Sequence, residues 1–354
     1  MKILHIITSL RTGGAERLMV DLLPRLRDLG NDVELLVFDG HETPFMQELQ
    51  QTGITIYKLG TRANVYHPTY LWKLWRFMRS HHYDIVHTHN TACQLFAAAA
   101  SVMCPVKLFT TEHNTTNRRR GKWLLRRIDR WMYRRYHTVV CIAQSTLDNL
   151  VAHLGYRPNR IMVINNGVDT SRFQAPPKDI SNHDRYIIVM LAAFRPQKDH
   201  DTLIRAMAEL PPQYELWLAG DGERRGEIER LINELGLSQR IKLLGVRRDV
   251  PELLAQADVT VLSSHHEGLS LSSVECMASG RPFIASDVPG LSEVVSGAGV
   301  LFPHGDHQAL AQEIKCLCEN PEHYREVAAK CQARASQFDI ATMAKEYNEA
   351  YLSS

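Results

Sequence analysis

The chain has 354 residues, which is longer than one compact domain usually is, so its length predicts two domains. With 44% hydrophobic and 23% charged residues its composition is that of a globular protein and excludes a disordered chain. The net charge of +2 conceals an asymmetry. Residues 1–175 contain 23 Lys and Arg against 13 Asp and Glu, a net charge of +10, and the remainder contains 18 against 26, a net charge of −8. A basic half predicts an acidic partner: a nucleic acid, an anionic lipid or a phosphorylated substrate.

Cysteines and apolar segments indicate where the protein resides. Seven cysteines without a C-x-x-C pair are typical of a reducing compartment. The apolar stretch 3–10 is short and runs into a polar loop, unlike a secretion signal, and the longest apolar run, 95–106, is too short to span a bilayer. We therefore expect a cytoplasmic protein that is soluble or peripheral on the cytoplasmic face of a membrane.

The first half of the chain alternates strand-like with helix-like segments. A helix is predicted at 15–29, where apolar residues recur on one face. Strands are predicted at 3–7, 33–38, 54–58, 85–87, 107–111 and 138–142. This alternation favours a parallel sheet with helices on both faces.

Small and polar residues at three of these strand ends are candidate site residues. Gly13 and Gly14 join the first strand to its helix, where glycines let the backbone approach a ligand and the helix start attracts anions. His87, His89 and His113 lie where two further strands end, and such ends line the ligand crevice of an open parallel sheet. Three imidazoles could bind a metal, but hydrogen bonding to a ligand is the favoured interpretation, and no metal is assigned.

The segment 118–135 contains nine Lys and Arg residues against Asp129. Its apolar residues recur at helical spacing, which predicts an amphipathic helix: Leu124, Ile128, Trp131 and Met132. A second aromatic helix is predicted at 70–78. Such helices either dock on an anionic membrane or turn their apolar stripes to the sheet and leave the arginines solvated. Nucleic acid is not an expected partner, because no recognised binding module is present.

A linker is predicted around 174–178, and the alternation restarts after it with strands at 186–191, 214–219, 241–244, 259–262 and 283–285. The last helix, 340–352, could pack back on the first domain. We predict an α/β protein of two doubly wound, Rossmann-like domains facing a central cleft. The first comprises residues 1–175 with the C-terminal helix at about 340–354, and the second comprises 176–339.

The segment 264–282 is the most informative part of the chain. Glu267 falls in a loop at the carboxyl end of a strand, and Glu275 falls on a helix predicted at 272–278 that Gly280 closes. Gly268 lets the backbone approach a ligand, and N–H groups at the helix start suit a phosphate. Carboxylates accept hydrogen bonds from sugar or ribose hydroxyls. Together these groups provide what a sugar nucleotide needs.

This pattern, which continues through 283–295, resembles that of the retaining glycosyltransferases of the GT-B fold (family 4-like, group 1). The resemblance covers nearly the whole chain and is densest after residue 185. It implies a nucleotide-sugar donor and a transfer that retains the anomeric configuration without a metal or another cofactor. It also implies that the departing phosphate helps to take the acceptor proton.

The resemblance also assigns roles to single residues. Glu267 would hold hydroxyls of the donor sugar and Glu275 the ribose, while His113 lies near the reacting sugar. Backbone groups of Gly268, Leu269 and Ser270 would contact the sugar and phosphates, and Val246 belongs to a loop that meets the nucleobase. Gly13 and Gly14 lie in a loop that resembles the family's Gly-Gly-Ala-Glu loop, and they would shape the opposite wall of the cleft beside the donor phosphates. The residues assigned to the acceptor side are Glu16, His87 and His89.

One departure from the family pattern concerns the cations of the second domain. Lys198 matches the family lysine and would neutralise the leaving diphosphate. The family arginine is replaced by Ala193, so either the nearby Arg195 takes over its role or Lys198 acts with another cation. Asp199-His-Asp201 resembles a metal clamp of a different glycosyltransferase fold, but we interpret Asp201 as the N-cap of the next helix.

The sequence therefore predicts a retaining, metal-independent glycosyltransferase. A saccharide linked to a lipid diphosphate is the preferred acceptor, because it explains the basic first domain and an anionic membrane partner. Two alternatives remain: a nucleotide-sugar epimerase on the same fold, and a non-catalytic nucleotide-sugar-binding protein, which Ala193 suggests.

Overall fold

The computed structural model describes residues 1–11, 13–61, 64–113, 123–181, 183–268 and 270–354. The chain forms two compact units. The first comprises Met1–Gly167 and Ile340–Ser354, and the second comprises Val168–Asp339.

The first unit is built on a sheet whose strands all pair in parallel. Within the described residues its order is β3-β2-β1-β4-β5-β6-β7. The strands are β1 (Lys2–Ile7), β2 (Asp32–Asp39), β3 (Thr55–Gly60), β4 (Ile85–His89), β5 (Lys107–Glu112), β6 (Thr138–Cys141) and β7 (Ile161–Val163). The central strands β1 and β4 are buried along most of their length, because a parallel sheet covered by helices buries both faces of its strands.

Helices cover both faces of this sheet. They are α1 (Gly14–Asp28), α2 (Pro44–Gln51), α3 (Thr69–Ser80), α4 (Thr91–Ala100), α5 (Trp123–Tyr133), α6 (Gln144–Leu154) and, from the end of the chain, α14 (Ile340–Leu352). One apolar core holds side chains of α1, α2 and α14, and the core on the opposite face holds side chains of α3 to α6. The C-terminal helix α14 packs against α1 in the first unit.

The second unit repeats the same winding. Its described strands pair in parallel in the order β10-β9-β8-β11-β12-β13. They are β8 (Tyr186–Leu191), β9 (Tyr214–Ala219), β10 (Ile241–Gly245), β11 (Val259–Leu262), β12 (Phe283–Ser286) and β13 (Val300–Phe302). The helices are α7 (His200–Glu209), α8 (Arg225–Glu234), α9 (Val250–Gln256), α10 (Leu271–Ala278), α11 (Ser292–Val295), α12 (His307–Glu319) and α13 (Pro321–Ala335).

Each sheet has one point at which the strand order reverses. It lies between β1 and β4 in the first sheet and between β8 and β11 in the second. Ligands of open α/β sheets bind outside the carboxyl ends of the strands at this point. The prediction of two doubly wound α/β domains is confirmed, although the short strands β7 and β13 were not predicted.

Candidate functional site

In the second unit, Lys198 and Glu267 meet at the point where the strand order reverses. Lys198 ends a short helical turn after β8, and Glu267 lies in the loop after β11. Their Nζ and Oε1 atoms are 2.5 Å apart, and the two side chains are only 17% and 7% exposed. Ser264 Oγ donates a second hydrogen bond to the same carboxylate oxygen at 2.6 Å. The structure thus brings two predicted site residues together and adds Ser264, to which the sequence analysis gave no role.

The loop that carries Glu267 is held by a glycine to which the sequence analysis gave no role. Gly290 has φ +87°, and a Cβ atom there would overlap the carbonyl oxygens of Glu267 and Gly268. Only glycine therefore permits this approach of the two loops.

Ser270 is the N-cap residue of α10, and its carbonyl accepts a hydrogen bond from Ser273 Oγ at 2.6 Å. The predicted contact residue Leu269 lies outside the described residues.

Glu275 lies half-buried on α10, so the two predicted carboxylates belong to different elements. Glu267 is fixed by the meeting of two loops, whereas the position of Glu275 follows from the helix. This arrangement allows the two carboxylates to contact different parts of one ligand.

Arg195, one of the two alternatives for the role of the missing family arginine, is exposed. Arg195 follows Phe194 at the start of the turn that ends at Lys198, and among the described residues none forms an ion pair with its guanidinium. Two glycines fix this loop, since a Cβ atom on Gly220 or Gly222 would overlap backbone atoms of Ala192 and Phe194.

Val246, the predicted nucleobase contact, is 73% exposed directly after β10.

The prediction that Asp201 caps α7 is wrong. The N-cap residue is Asp199, whose carboxylate accepts hydrogen bonds from Thr202 N at 3.3 Å and Thr202 Oγ1 at 2.6 Å. Asp199 has φ +45°, which lies outside the range of a right-handed helix, so the helix begins at the next residue, His200. Asp201 instead lies in the first turn, where it accepts a hydrogen bond from Arg224 Nη2 at 3.0 Å.

In the first unit, four histidines on β1, β4 and directly after β5 form one group, here called the histidine cluster: His5, His87 and His89, which are fully buried, and His113, which is partly buried. His5 Nδ1 lies 3.0 Å from His89 Nε2, and His89 Nδ1 lies 2.9 Å from His113 Nε2. His87 Nδ1 lies 2.5 Å from the hydroxyl of Tyr351, and His87 Nε2 lies 2.8 Å from Thr111 Oγ1. The cluster links the strand ends of the first sheet to α14.

Burial keeps the histidine cluster neutral. It lowers the pKa of His5 to about 3 and the pKa of His113 to about 4, and it holds the pKa values of His87 and His89 well below their ordinary range. The rings of His5, His87 and His89 stack 4.6–5.3 Å apart and within 19° of parallel. Lone pairs in stacked ring planes do not point to one centre, so this geometry favours hydrogen bonding over a shared metal ion.

His5 was missed because it lies inside β1 rather than at its end. The signal that could have found it is a single histidine within the apolar run Ile3–Ile7. A fully buried imidazole needs a hydrogen-bond partner, and a histidine on the adjacent strand β4 provides one.

The start of α1 carries two donor-binding candidates, Gly13 and Gly14, and the acceptor-side candidate Glu16. Gly13 is the N-cap residue, Gly14 begins the helix, and the carboxylate of Glu16 folds back so closely over Gly13 that a Cβ atom there would overlap it. Burial raises the pKa of Glu16. The helix start thus places a carboxyl group over the backbone of Gly13, near the positive end of the helix dipole.

The basic helix exists as α5, but its apolar residues do not all face the sheet. Met132 is buried, whereas Leu124 and Trp131 are exposed, and Trp123 is 71% exposed. Exposed apolar side chains also occur on α3 at Trp72 and directly after α4: Val102 and Met103. Residues 118–122 of the predicted segment lie outside the described residues. In the described part of the chain, no helix is both long and apolar enough to cross a bilayer.

Comparison with known proteins agrees with this geometry. The model of Glycosyltransferase Family 4 matches residues 12–172, and the model of Glycosyl transferases group 1 matches residues 171–335. The lipopolysaccharide core biosynthesis glycosyltransferase LpsD of Rhizobium meliloti (strain 1021) is 29% identical over 328 residues, which cover 91% of this chain and 89% of LpsD.

A galactosyltransferase of Escherichia coli, named UDP-Gal:alpha-D-GlcNAc-diphosphoundecaprenol alpha-1,3-galactosyltransferase, is 27% identical over 61% of each chain. Among solved structures, Anabaena Alr3699/HepE in complex with UDP is 26% identical over the whole of both chains, with a TM-score of 0.87. Two doubly wound units and family matches that together span residues 12–335 lead to one conclusion: the chain belongs to the group 1 glycosyltransferases of the GT-B fold.

Proposed function

We propose that this glycosyltransferase moves a sugar from a nucleotide-sugar donor to a saccharide acceptor linked to a lipid diphosphate, with retention at the anomeric carbon. The observation that carries the proposal is the Lys198–Glu267 pair, which presents a cation and a carboxylate where the second sheet reverses its strand order. A sugar diphosphate has the complementary groups, because its phosphates attract the cation and its hydroxyls donate to the carboxylate.

Relatives support the choice of substrates. HepE has been crystallised with UDP-glucose, and the name of the Escherichia coli galactosyltransferase includes both a UDP-sugar donor and a diphospholipid acceptor. In our chain, Lys198 would stabilise the charge that develops on the leaving diphosphate. Glu267 would hold the sugar, Glu275 the ribose, and backbone N–H groups at the start of α10 the phosphates. These roles use no metal.

A diphosphate that approaches Lys198 has to compete with Glu267 for it. In the structure, Lys198 already neutralises Glu267, and Ser264 holds that carboxylate in place. Donor binding would move Lys198 toward the phosphates and free one oxygen of Glu267 for a sugar hydroxyl. The exchange would link recognition of the diphosphate to recognition of the sugar.

We also propose that α3, α5 and the end of α4 dock the protein on the anionic cytoplasmic face of a membrane. These elements lie side by side on one face of the first sheet. They carry exposed aromatic and aliphatic side chains next to exposed arginines, including Trp72, Trp123, Trp131, Arg127 and Arg134. Tryptophan with arginine is suited to the boundary between lipid headgroups and acyl chains. Docking would bring the enzyme to a lipid-linked acceptor.

A two-step experiment tests the proposed transfer. A thermal-shift screen of nucleotide sugars identifies the donor, since a ligand that binds the folded state raises the melting temperature. The selected donor is then incubated with the protein, with and without synthetic lipid-diphosphate saccharides, and the products are analysed by mass spectrometry and NMR. A glycosylated acceptor with the anomeric configuration of the donor is expected. Interconversion of the donor without acceptor would identify an epimerase instead, and binding without turnover a non-catalytic protein.

A further inference from the structure

Three loops of the second unit bring together side chains that the proposed transfer does not use. Asp199 follows β8, His265 follows β11 and His304 follows β13. His265 Nδ1 lies 2.6 Å from His304 Nε2 and 3.7 Å from Asp199 Oδ2. One nitrogen or oxygen atom from each of the three residues lies within 4.8 Å of the other two. We call these residues the Asp–His–His group.

The orientation of the two imidazoles distinguishes this group from the histidine cluster. The planes of the His265 and His304 rings are nearly perpendicular, at 80°, and the ring centroids lie 4.9 Å apart. In the histidine cluster the rings are stacked, and their nitrogens are engaged with one another, Tyr351 and Thr111. The Asp–His–His group differs in that its rings are not stacked and a carboxylate lies beside the two imidazoles.

The backbone and neighbouring hydroxyls hold this group in place. The carboxylate of Asp199 accepts hydrogen bonds from the N–H and the hydroxyl of Thr202, and its carbonyl accepts one from Ser263 Oγ at 2.7 Å. The N–H of His265 donates to Gln197 O at 2.8 Å. Outer partners of this kind orient the ligands of protein metal sites.

We propose that Asp199, His265 and His304 bind a zinc ion. Zn²⁺ accepts imidazole nitrogens and carboxylate oxygens as ligands, and three protein ligands leave its fourth position to a water molecule. Bonds of about 2.0 Å in a tetrahedral site place ligand atoms about 3.3 Å from one another, and the two shorter separations in the structure, 2.6 Å and 3.7 Å, bracket that value. The exposed side chains of His265 and His304 leave the ion a path from solvent.

The position of the group indicates what the ion does. Asp199 directly follows Lys198, and His265 precedes Glu267 by two residues. Zinc would fasten together the loops that carry these two residues and the loop between β13 and α12. It would stabilise the second unit without contacting the substrates, so chelation should lower the melting temperature but leave transfer in place.

The test is a titration of tag-free, chelator-treated protein with ZnCl₂ in a calorimeter. Wild type is expected to bind one equivalent of zinc more than the His304→Ala variant, and His265→Ala should match that loss. Asp199→Asn should weaken the affinity by about tenfold or more. His266→Ala is the matched control, because His266 is exposed and adjacent but does not belong to the group. It should bind zinc like wild type.

A second readout distinguishes a lost site from a damaged fold. Without metal, His304→Ala should melt at the wild-type temperature, since His304 is exposed. With zinc, only wild type and His266→Ala should be stabilised. Equal zinc stoichiometry and affinity in wild type and His304→Ala would overturn the proposal and leave His265 and His304 as a hydrogen-bonded pair. Loss of transfer after chelation would instead contradict the metal-free mechanism proposed above.

Discussion

At the scale of single residues, the side chain with the sharpest expected effect is Lys198. Lys198→Met removes the charge but keeps the length of the side chain. We expect turnover to fall about a hundredfold or more, with a smaller loss of donor affinity, because the cation acts on charge that grows in the transition state. Steady-state kinetics with the donor found in the screen measure both quantities.

The comparison variant for Lys198 is Arg195→Met, which removes a nearby but exposed cation. A loss equal to that of Lys198→Met would show that Arg195 has replaced the arginine missing at Ala193. Normal turnover in Lys198→Met would contradict the role of Lys198 whatever the result for Arg195.

Substitutions of Glu267 and Glu275 should affect binding of different ligands. Glu275→Gln is expected to weaken binding of the free nucleoside diphosphate and of the donor alike, because its proposed partner is the ribose. Glu267→Gln should weaken binding of the intact donor but keep or strengthen binding of the free diphosphate, since it releases Lys198 from its ion pair. Calorimetry with both ligands measures the four affinities, and equal changes throughout would refute the division of roles.

His5 should make stability depend on pH. Its pKa is about 3 in the folded state, below an unfolded value near 6.5, so the folded state binds fewer protons. The stability from the neutral ring is complete above pH 6.5 and is lost as the pH falls toward 3, at roughly 1.4 kcal/mol per pH unit. His5→Gln should therefore reduce the fall in melting temperature between pH 7.5 and 5.0. His266→Gln, on the surface, should leave the wild-type profile unchanged.

At the scale of secondary structure elements, α5 is a helix whose existence follows from the sequence but whose orientation does not. Its helical spacing and basic character were predicted from residues 118–135, and the structure forms a helix over Trp123–Tyr133. The sequence left open whether the apolar stripe of α5 faces the sheet or a membrane, because helical periodicity shows which residues share a face but not which face the sheet covers. Met132 is buried, whereas Leu124 and Trp131 point to solvent.

The exposed face of α5 gives a prediction for membrane binding. Arg127→Glu with Arg134→Glu should abolish co-sedimentation with anionic vesicles at low salt, since each Lys or Arg near such a surface contributes about 1 kcal/mol. Donor binding should not change. Arg205→Glu with Arg230→Glu makes the same change of charge on exposed residues of the second unit and should leave vesicle binding intact. Wild type that stays in the supernatant with anionic vesicles would refute docking.

At the scale of the whole molecule, the sequence predicted two parallel α/β units because alternating apolar segments restart after a linker. What it could not predict were contacts between distant segments. The pairing of Lys198 with Glu267 requires β8 and β11 to be neighbours, and the strand order that makes them so is a property of the sheet. The same holds for His5 beside His89 and for Gly290 against Glu267, where the neighbouring backbone and not the local sequence determines the role of the residue.

The return of α14 to the first unit leads to a prediction at this scale. Tyr347 is fully buried against the first sheet, and its hydroxyl lies 2.9 Å from Thr111 Oγ1. Tyr347→Ala should destabilise the first unit by about 3–5 kcal/mol, as loss of a buried aromatic ring does. Hydrogen exchange measured by mass spectrometry should become faster in β1, β4 and β5. Tyr214→Ala, at a buried position of β9, should speed exchange in the second unit instead. If either variant sped hydrogen exchange equally in both units, the expectation that each substitution destabilises mainly its own unit would be wrong.

The hydrogen bonds of the histidine cluster have a direction. A neutral imidazole donates at one nitrogen and accepts at the other, so the proton position on His113 dictates those on His89 and His5 in turn. If His89 donates to His113 Nε2, the proton of His113 sits on Nδ1; if the bond is reversed, Nδ1 becomes an acceptor and the bond between His89 and His5 reverses as well. A ligand that hydrogen-bonds to His113 therefore selects one of two complete proton arrangements, and the choice is passed through the sheet to His5, where the hydroxyl of Tyr351 lies 3.5 Å away.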